Sequence, residues 1–173
     1  MERSPDQAVL AAFARSVFAK SQLLNSSGLR TSRERLHVRE AIGFDVRKYS
    51  DFLVPTASDA ALILAAELGV ELRTLAWRDQ PRVDPGRKRF LLEHVLPVAE
   101  VRERCREAAT EDDVAECLKQ VRVAWILREE DDRLTELGYR TDRPDPAVAY
   151  QDAGISLAGL TYDSDKRDPF PPI

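Results

Sequence analysis

The chain has 173 residues, 43% apolar and 32% charged, with a formal net charge of −4. That composition supports a real core in one domain, with or without a small appendage, and no apolar run approaches the ~20 residues of a bilayer span, which excludes a membrane-spanning class. Glu2 and Pro5 break the basic-then-apolar pattern of a secretory leader, and Cys105 and Cys117 form no Cys-x-x-Cys pair, so a zinc knuckle is not expected and a reducing cytoplasm is the expected compartment.

In chain order, Ser4-Pro5-Asp6-Gln7 reads as a helix start, with Ser4 as cap and Pro5 in the first turn. Val9, Phe13 and Val17 then recur at four-residue steps, and Asn25-Ser26-Ser27-Gly28 ends the helix. Thr31-Ser32-Arg33-Glu34 is a capping box that opens a second helix through Leu36, Ala41 and Ile42, closed by Gly43. Asp45 is expected to cap a short turn through Tyr49 and Phe52. Ser58-Asp59 starts an apolar helix from Ala60 to Leu68, stopped by Gly69, and Leu72, Leu75 and Trp77 continue the core in another short helix.

Pro81, Pro85 and Gly86 mark residues 78–88 as a loop rich in Arg and Lys. Residues 89–96 read as a strand, Val98–Ala109 as a helix, and Thr110 as the start of a further helix through Leu118. Val121–Leu127 is β-branched and aromatic, a second strand. It runs into an acid-rich helix start at Arg128-Glu129-Glu130-Asp131-Asp132, and that helix ends at Gly138. A short helix from Pro146 through Tyr150 follows, and residues 161–173 read as a loose tail. The fold class is therefore α+β and mostly helical, with a small two-stranded ββα unit in the C-terminal half. Residues 1–77 form the helical N-terminal part, 78–160 the ββα part and 161–173 the tail.

Charge is unevenly spread: residues 1–93 carry 15 Lys+Arg against 12 Asp+Glu, whereas residues 94–173 carry 11 against 18. Two basic clusters stand out, one of Arg30, Arg33, Arg35, Arg39, Arg47 and Lys48, the other of Arg78, Arg82, Arg87, Lys88 and Arg89. Each fits either phosphate contact or an ordinary solvated face.

The candidate chemistry lies at Glu93-His94-Val95-Leu96-Pro97. With His37 and His94 the only histidines, imidazole chemistry near neutral pH has few possible sites, and His37, among Arg33, Arg35 and Arg39, reads as a surface residue. If strands 89–96 and 121–127 pair antiparallel, the helix leaving the second can pack back over both and bring its first-turn acids toward Glu93 and His94. A strand carboxylate and a helix carboxylate could then hold one Mg²⁺ or Mn²⁺, which prefer oxygen ligands. His94 would take a proton from water, the ion would stabilise charge on a phosphate oxygen, and Lys88, Arg89, Arg128 and Arg133 would contact flanking phosphates.

Glu93-His94-Val95-Leu96-Pro97 resembles the [Asp/Glu]-His-[Val/Ile]-x-Pro sequence on the first strand of the ββα-metal, or HNH-like, nucleases, and Val123–Asp131 is similar to the second strand and helix start of that family. The likeness spans about residues 88–137. It implies His94 as general base, Glu93 as a metal ligand, and Asp131, then Asp132, as the helix ligand. It further implies a divalent-metal-dependent endonuclease acting on DNA, with restriction or phage defence as the setting.

A bland reading stands beside it. Glu-His at a strand end is commonly a polar edge, proline a strand terminator, and acids in a first helical turn are favoured by the helix dipole without any metal. On that reading the chain is a non-catalytic helical protein-interaction subunit or adaptor, with a protein partner or a second copy of itself. Trp77 and Trp125 read as core, and the two cysteines as small apolar groups.

Overall fold

The computed structural model describes residues 6–143 and 145–157. Ser4, Pro5 and the expected loose tail lie outside the described residues. The α+β, mostly helical class is what forms: eight α-helices and a small three-stranded sheet among the described residues. The helices are α1 (Gln7–Asn25), α2 (Ser32–Ser50), α3 (Asp59–Glu67), α4 (Gln80–Val83), α5 (Val98–Glu107), α6 (Glu111–Lys119), α7 (Arg128–Glu136) and α8 (Pro146–Asp152). The strands are β1 (Thr56–Ala57), β2 (Phe90–His94) and β3 (Val123–Leu127).

The chain divides into two compact units, each assembled from two stretches: Met1–Leu53 with Leu96–Val121, and Val54–Val95 with Arg122–Ile173. The first contains α1, α2, α5 and α6. The cap of α1 is Asp6, whose carboxylate accepts from Ala8 N at 2.9 Å. The capping box at Thr31 and Glu34 forms as expected. Gly43 does not stop α2, which runs on to Ser50. A Cβ at Gly43 would meet Val98 Cγ1 at 3.6 Å, so this glycine marks where α5 comes close rather than a helix end. Asp45 is accordingly interior to α2 and caps nothing; it accepts from Lys20 and Ser16 on α1. The core here includes Val17, Ile42, Val46, Tyr49, Val101, Val114 and Leu118, all at 1% exposure or less. Each such side chain is worth about 1.5–3 kcal/mol on burial.

The second unit holds the sheet, in order β1-β3-β2, with β2 and β3 antiparallel and β1 parallel to β3. The antiparallel pair is the expected one; the two-residue β1 makes the sheet three-stranded rather than two-stranded. The register pairs Leu91 with Ile126 and Glu93 with Ala124. With Val95 these residues face a cluster containing Leu134 of α7 and Ala149 and Tyr150 of α8. Alternate residues Phe90, Leu92 and Trp125 face a second cluster with Ala61 and Ala65 of α3, Ala57 and Leu72, as the period of a pleated strand requires.

α3 is capped by Ser58 and ends before Gly69 at φ 66°, a left-handed conformation glycine adopts without steric cost. The segment after it differs from expectation. Residues 77–79 form one 3₁₀ turn, and Trp77 lies outside the core at 48% exposure with the Arg87 guanidinium 3.6 Å over its ring. The expected loop at 78–88 contains α4, with Pro81 in its first turn, where a missing N–H costs nothing. Asp84 then organises the approach to β2: its carboxylate accepts from Gln80 Nε2 and from the backbone N–H groups of Lys88, Arg89 and Phe90.

Candidate functional site

The expected topology of the ββα segment is present: β2 and β3 pair, and α7 packs against both. What it positions differs from the expected constellation. Glu93 stands on the α7–α8 face of β2, its side chain 19% exposed, and accepts from Arg143 Nη2 at 3.1 Å. Asp131, on the first turn of α7, is close enough to interact with it electrostatically. Burial raises the proton affinity of Glu93, the Asp131 charge raises it further, and the Arg143 guanidinium only partly offsets the rise. Asp131 is likewise raised by burial and by Asp132, against the opposing charges of Arg128, Arg140 and Arg143.

His94 is the last residue of β2 and alternates onto the opposite side from Glu93, in register with Val123. Its contribution to the Glu93 side is its backbone, whose carbonyl accepts from Arg143 Nη1 at 3.2 Å. Asp132 is exposed on α7, and Lys88 and Arg89 are exposed before β2. Arg128 Nε donates to Arg87 O at 2.9 Å and Arg133 Nε to Ala153 O at 2.8 Å, so both fasten backbone. Asp131 thus acts on Glu93 electrostatically and Asp132 on Asp131, whereas His94 alternates to the other side of β2, Lys88 and Arg89 are exposed before it, and Arg133 is engaged with Ala153 O.

Among the described residues, no three His, Cys, Asp or Glu side chains are disposed to hold a metal ion. The donor set is a poor fit for Mg²⁺ or Mn²⁺, because these ions are held through carboxylates and Glu93 already carries a buried guanidinium.

Arg143 is the residue that sequence reasoning missed. It is fully buried and makes six hydrogen bonds: Nε and Nη2 to Tyr139 O, Nη1 to the carbonyls of His94 and Val95 and to Tyr150 Oη, and Nη2 to Glu93. Tyr150 Oη, 3.4 Å from Nη1, has its pKa pushed up by burial above all. Glu130 was also missed: it is 2% exposed and accepts from Ser58 Oγ at 2.6 Å and from Leu127 N at 2.8 Å, so one first-turn acid both caps its own helix and ties α7 to the cap of α3. Nothing in the residues around Arg143 distinguishes it from the arginines at 128, 133 and 140. Its burial goes with partners far off in the sequence, the carbonyls of His94 and Val95 and the carboxylate of Glu93.

No family model, curated protein or solved structure matches the chain.

Proposed function

We propose that the chain is a protein-interaction subunit rather than a hydrolase. The observation that carries this reading is the engagement of Glu93-His94 by Arg143. The carboxylate and the histidine carbonyl both accept from one fully buried guanidinium, which makes the dipeptide a joint between β2 and Arg143, itself bonded to Tyr139 and Tyr150. A surface suited to a partner supports it. α3 buries Ala61 and Ala65 and leaves Leu62 at 41%, Ile63 at 64% and the following Leu68 at 39% exposure. A helix apolar on every side is ordinarily covered, and covering the exposed remainder would contribute about 1 kcal/mol for Leu62 and about 1–2 kcal/mol for Ile63.

The test is sedimentation and affinity purification of the wild type beside a Leu62→Glu/Ile63→Glu variant with matched thermal unfolding. The reading expects a stoichiometric complex, with itself or with one identified protein, that the variant loses. A wild type that stays alone, or a complex indifferent to both substitutions, overturns it.

A second reading, a divergent DNA endonuclease, is favoured by the proximity of Glu93 and Asp131 on a ββα frame. It requires plasmid nicking with Mg²⁺ or Mn²⁺ that His94→Ala and Asp131→Asn each abolish. Absence of cleavage with either ion removes it.

A further inference from the structure

The first unit contains a cleft of about 480 Å³ lined by Leu24, Asn25, Arg35, Arg39, Glu103 and Arg106. Its charge is lopsided. Arg39 donates to Glu103 Oε1 through Nε at 3.2 Å and Nη2 at 2.9 Å, Arg102 Nε donates to the same oxygen at 3.3 Å, and Arg106 Nε donates to Oε2 at 2.8 Å. Three guanidiniums from α2 and α5 therefore share one carboxylate. Each guanidinium has five N–H donors in a planar fork, and one carboxylate can accept only a few of them. Glu107, 3.7 Å from Arg106 Nη2 and 74% exposed, adds an acid at the rim. Arg35 donates to Leu24 O at 2.8 Å, where the carbonyl end of the α1 dipole attracts a cation. Asn25 Nδ2 donates to Arg106 O at 2.9 Å and fixes the cleft wall.

The arginines also dominate Glu103 itself: burial raises its pKa, but the hydrogen bonds from Arg106, Arg39 and Arg102 prevail and hold it below the ordinary glutamate value. A group with three tetrahedrally arranged anionic oxygens matches such a set better than a single carboxylate does, because arginine forks bind phosphate oxygens two at a time.

We propose that this cleft binds a phosphoryl group, with Arg39 and Arg106 as its principal donors and Glu103 as an internal competitor for them. The proposal is independent of the α3 surface and of any chemistry at Glu93. The shared chemistry can reach the cleft as a free di- or triphosphate or as a nucleic-acid backbone, and the experiment separates the two.

Binding is measured by calorimetry with inorganic pyrophosphate, and by fluorescence anisotropy with a labelled DNA oligomer across a salt series. Pyrophosphate is expected to bind saturably, one per chain. Removing one like charge from the site should tighten it, so Glu103→Gln should raise affinity roughly tenfold, while Arg39→Gln/Arg106→Gln should lower it at least roughly tenfold. Oligomer binding that responds to the same substitutions assigns the polymer as the source; pyrophosphate binding alone assigns the small anion.

If the double variant does not fold, Arg39→Lys keeps the charge and removes the fork, and weaker binding is again expected. A purely structural role for the ion pairs predicts that Glu103→Gln lowers thermal stability and leaves anion affinity unchanged. That result, or no binding of either probe by the wild type, overturns the proposal.

Discussion

Replacing Arg143 with methionine removes a side chain of similar length from a site with 0% exposure. Five acceptors lose a guanidinium donor: the carbonyls of Tyr139, His94 and Val95, the Tyr150 hydroxyl, and the Glu93 carboxylate. An unsatisfied buried acceptor costs about 1–3 kcal/mol, and breaking a buried pair from one side costs about 3–5 kcal/mol in all. The individual penalties overlap as the site relaxes, so the second figure is the expected total. It is a large share of the ~5–15 kcal/mol that holds a typical domain together.

The assay is urea unfolding at neutral pH, with the midpoint and slope fitted separately so that a change in the unfolded state is recognised. Adding Glu93→Leu to Arg143→Met should recover part of the loss by removing the stranded carboxylate, and not all of it, because the carbonyls of Tyr139, His94 and Val95 still lack the guanidinium. Lowering the pH should also reduce the loss in the single variant, since burial raises the proton affinity of Glu93 and a protonated carboxyl costs less to leave without its guanidinium. A cost under about 1 kcal/mol for Arg143→Met would refute the account of this residue as the joint of the sheet face, given what buried pairs ordinarily cost.

Two further outcomes concern titration. Glu93 holds its proton more tightly in the folded chain than in the unfolded one, so its contribution to stability is greatest below the ordinary glutamate range and is lost as pH rises through its elevated native value. Asp131 acts in the same direction, whereas Asp84 and Glu103, whose values are lowered, favour the fold above the ordinary carboxylate range and lose that contribution on acidification. Stability measured against pH should therefore decline less steeply on the alkaline side for Glu93→Gln than for the wild type, and parallel curves would contradict the burial argument. Cys117 is pulled down to about 7 by the hydrogen bond from Cys105, with Arg104 assisting, while the Cys105 thiol is pushed up. Iodoacetamide should label Cys117 in the native chain with a rate midpoint near that value and reach Cys105 only on unfolding; a midpoint at an ordinary thiol value of about 8.5 would sink this.

Elements with strong local signals were legible in the sequence. Thr31 and Glu34, Ser58, Gly69 and Gly138 mark their helix ends through hydrogen bonds or a left-handed turn made within a few residues. The β2–β3 pairing and the helix behind it were legible because Leu91, Ala124 and Ile126 alternate with Leu92 and Trp125, so both strands carry apolar residues on two faces. Gly43 was misleading, since glycine ends a helix in one setting and admits a neighbouring helix in another, and only α5 decides between them. β1 has two residues and no periodicity to detect.

The candidate site was half legible for a similar reason. Asp131 comes within electrostatic range of Glu93 because α7 packs back against β2 and β3. His94 follows the same pleat and is turned away, which a short linear motif does not encode. Arg143 is fifty positions from its carboxylate partner, and no local pattern announces an ion pair formed across that separation.

β2 and β3 lie side by side in the sheet, yet the chain between them, Leu96–Val121, belongs to the other compact unit. The bond from Val95 N to Arg122 O, at 3.0 Å, closes this excursion. What joins the two strands is therefore no tight reverse turn but a pair of helices with a hydrophobic commitment of their own. Closing a loop costs only about 0.6 kcal/mol more for each doubling of its length, so the detour weighs little on final stability. It weighs on kinetics, because distant contacts must wait for the intervening chain to become compact. Pairing of β2 with β3 is therefore expected to form no sooner than residues 96–121 become compact.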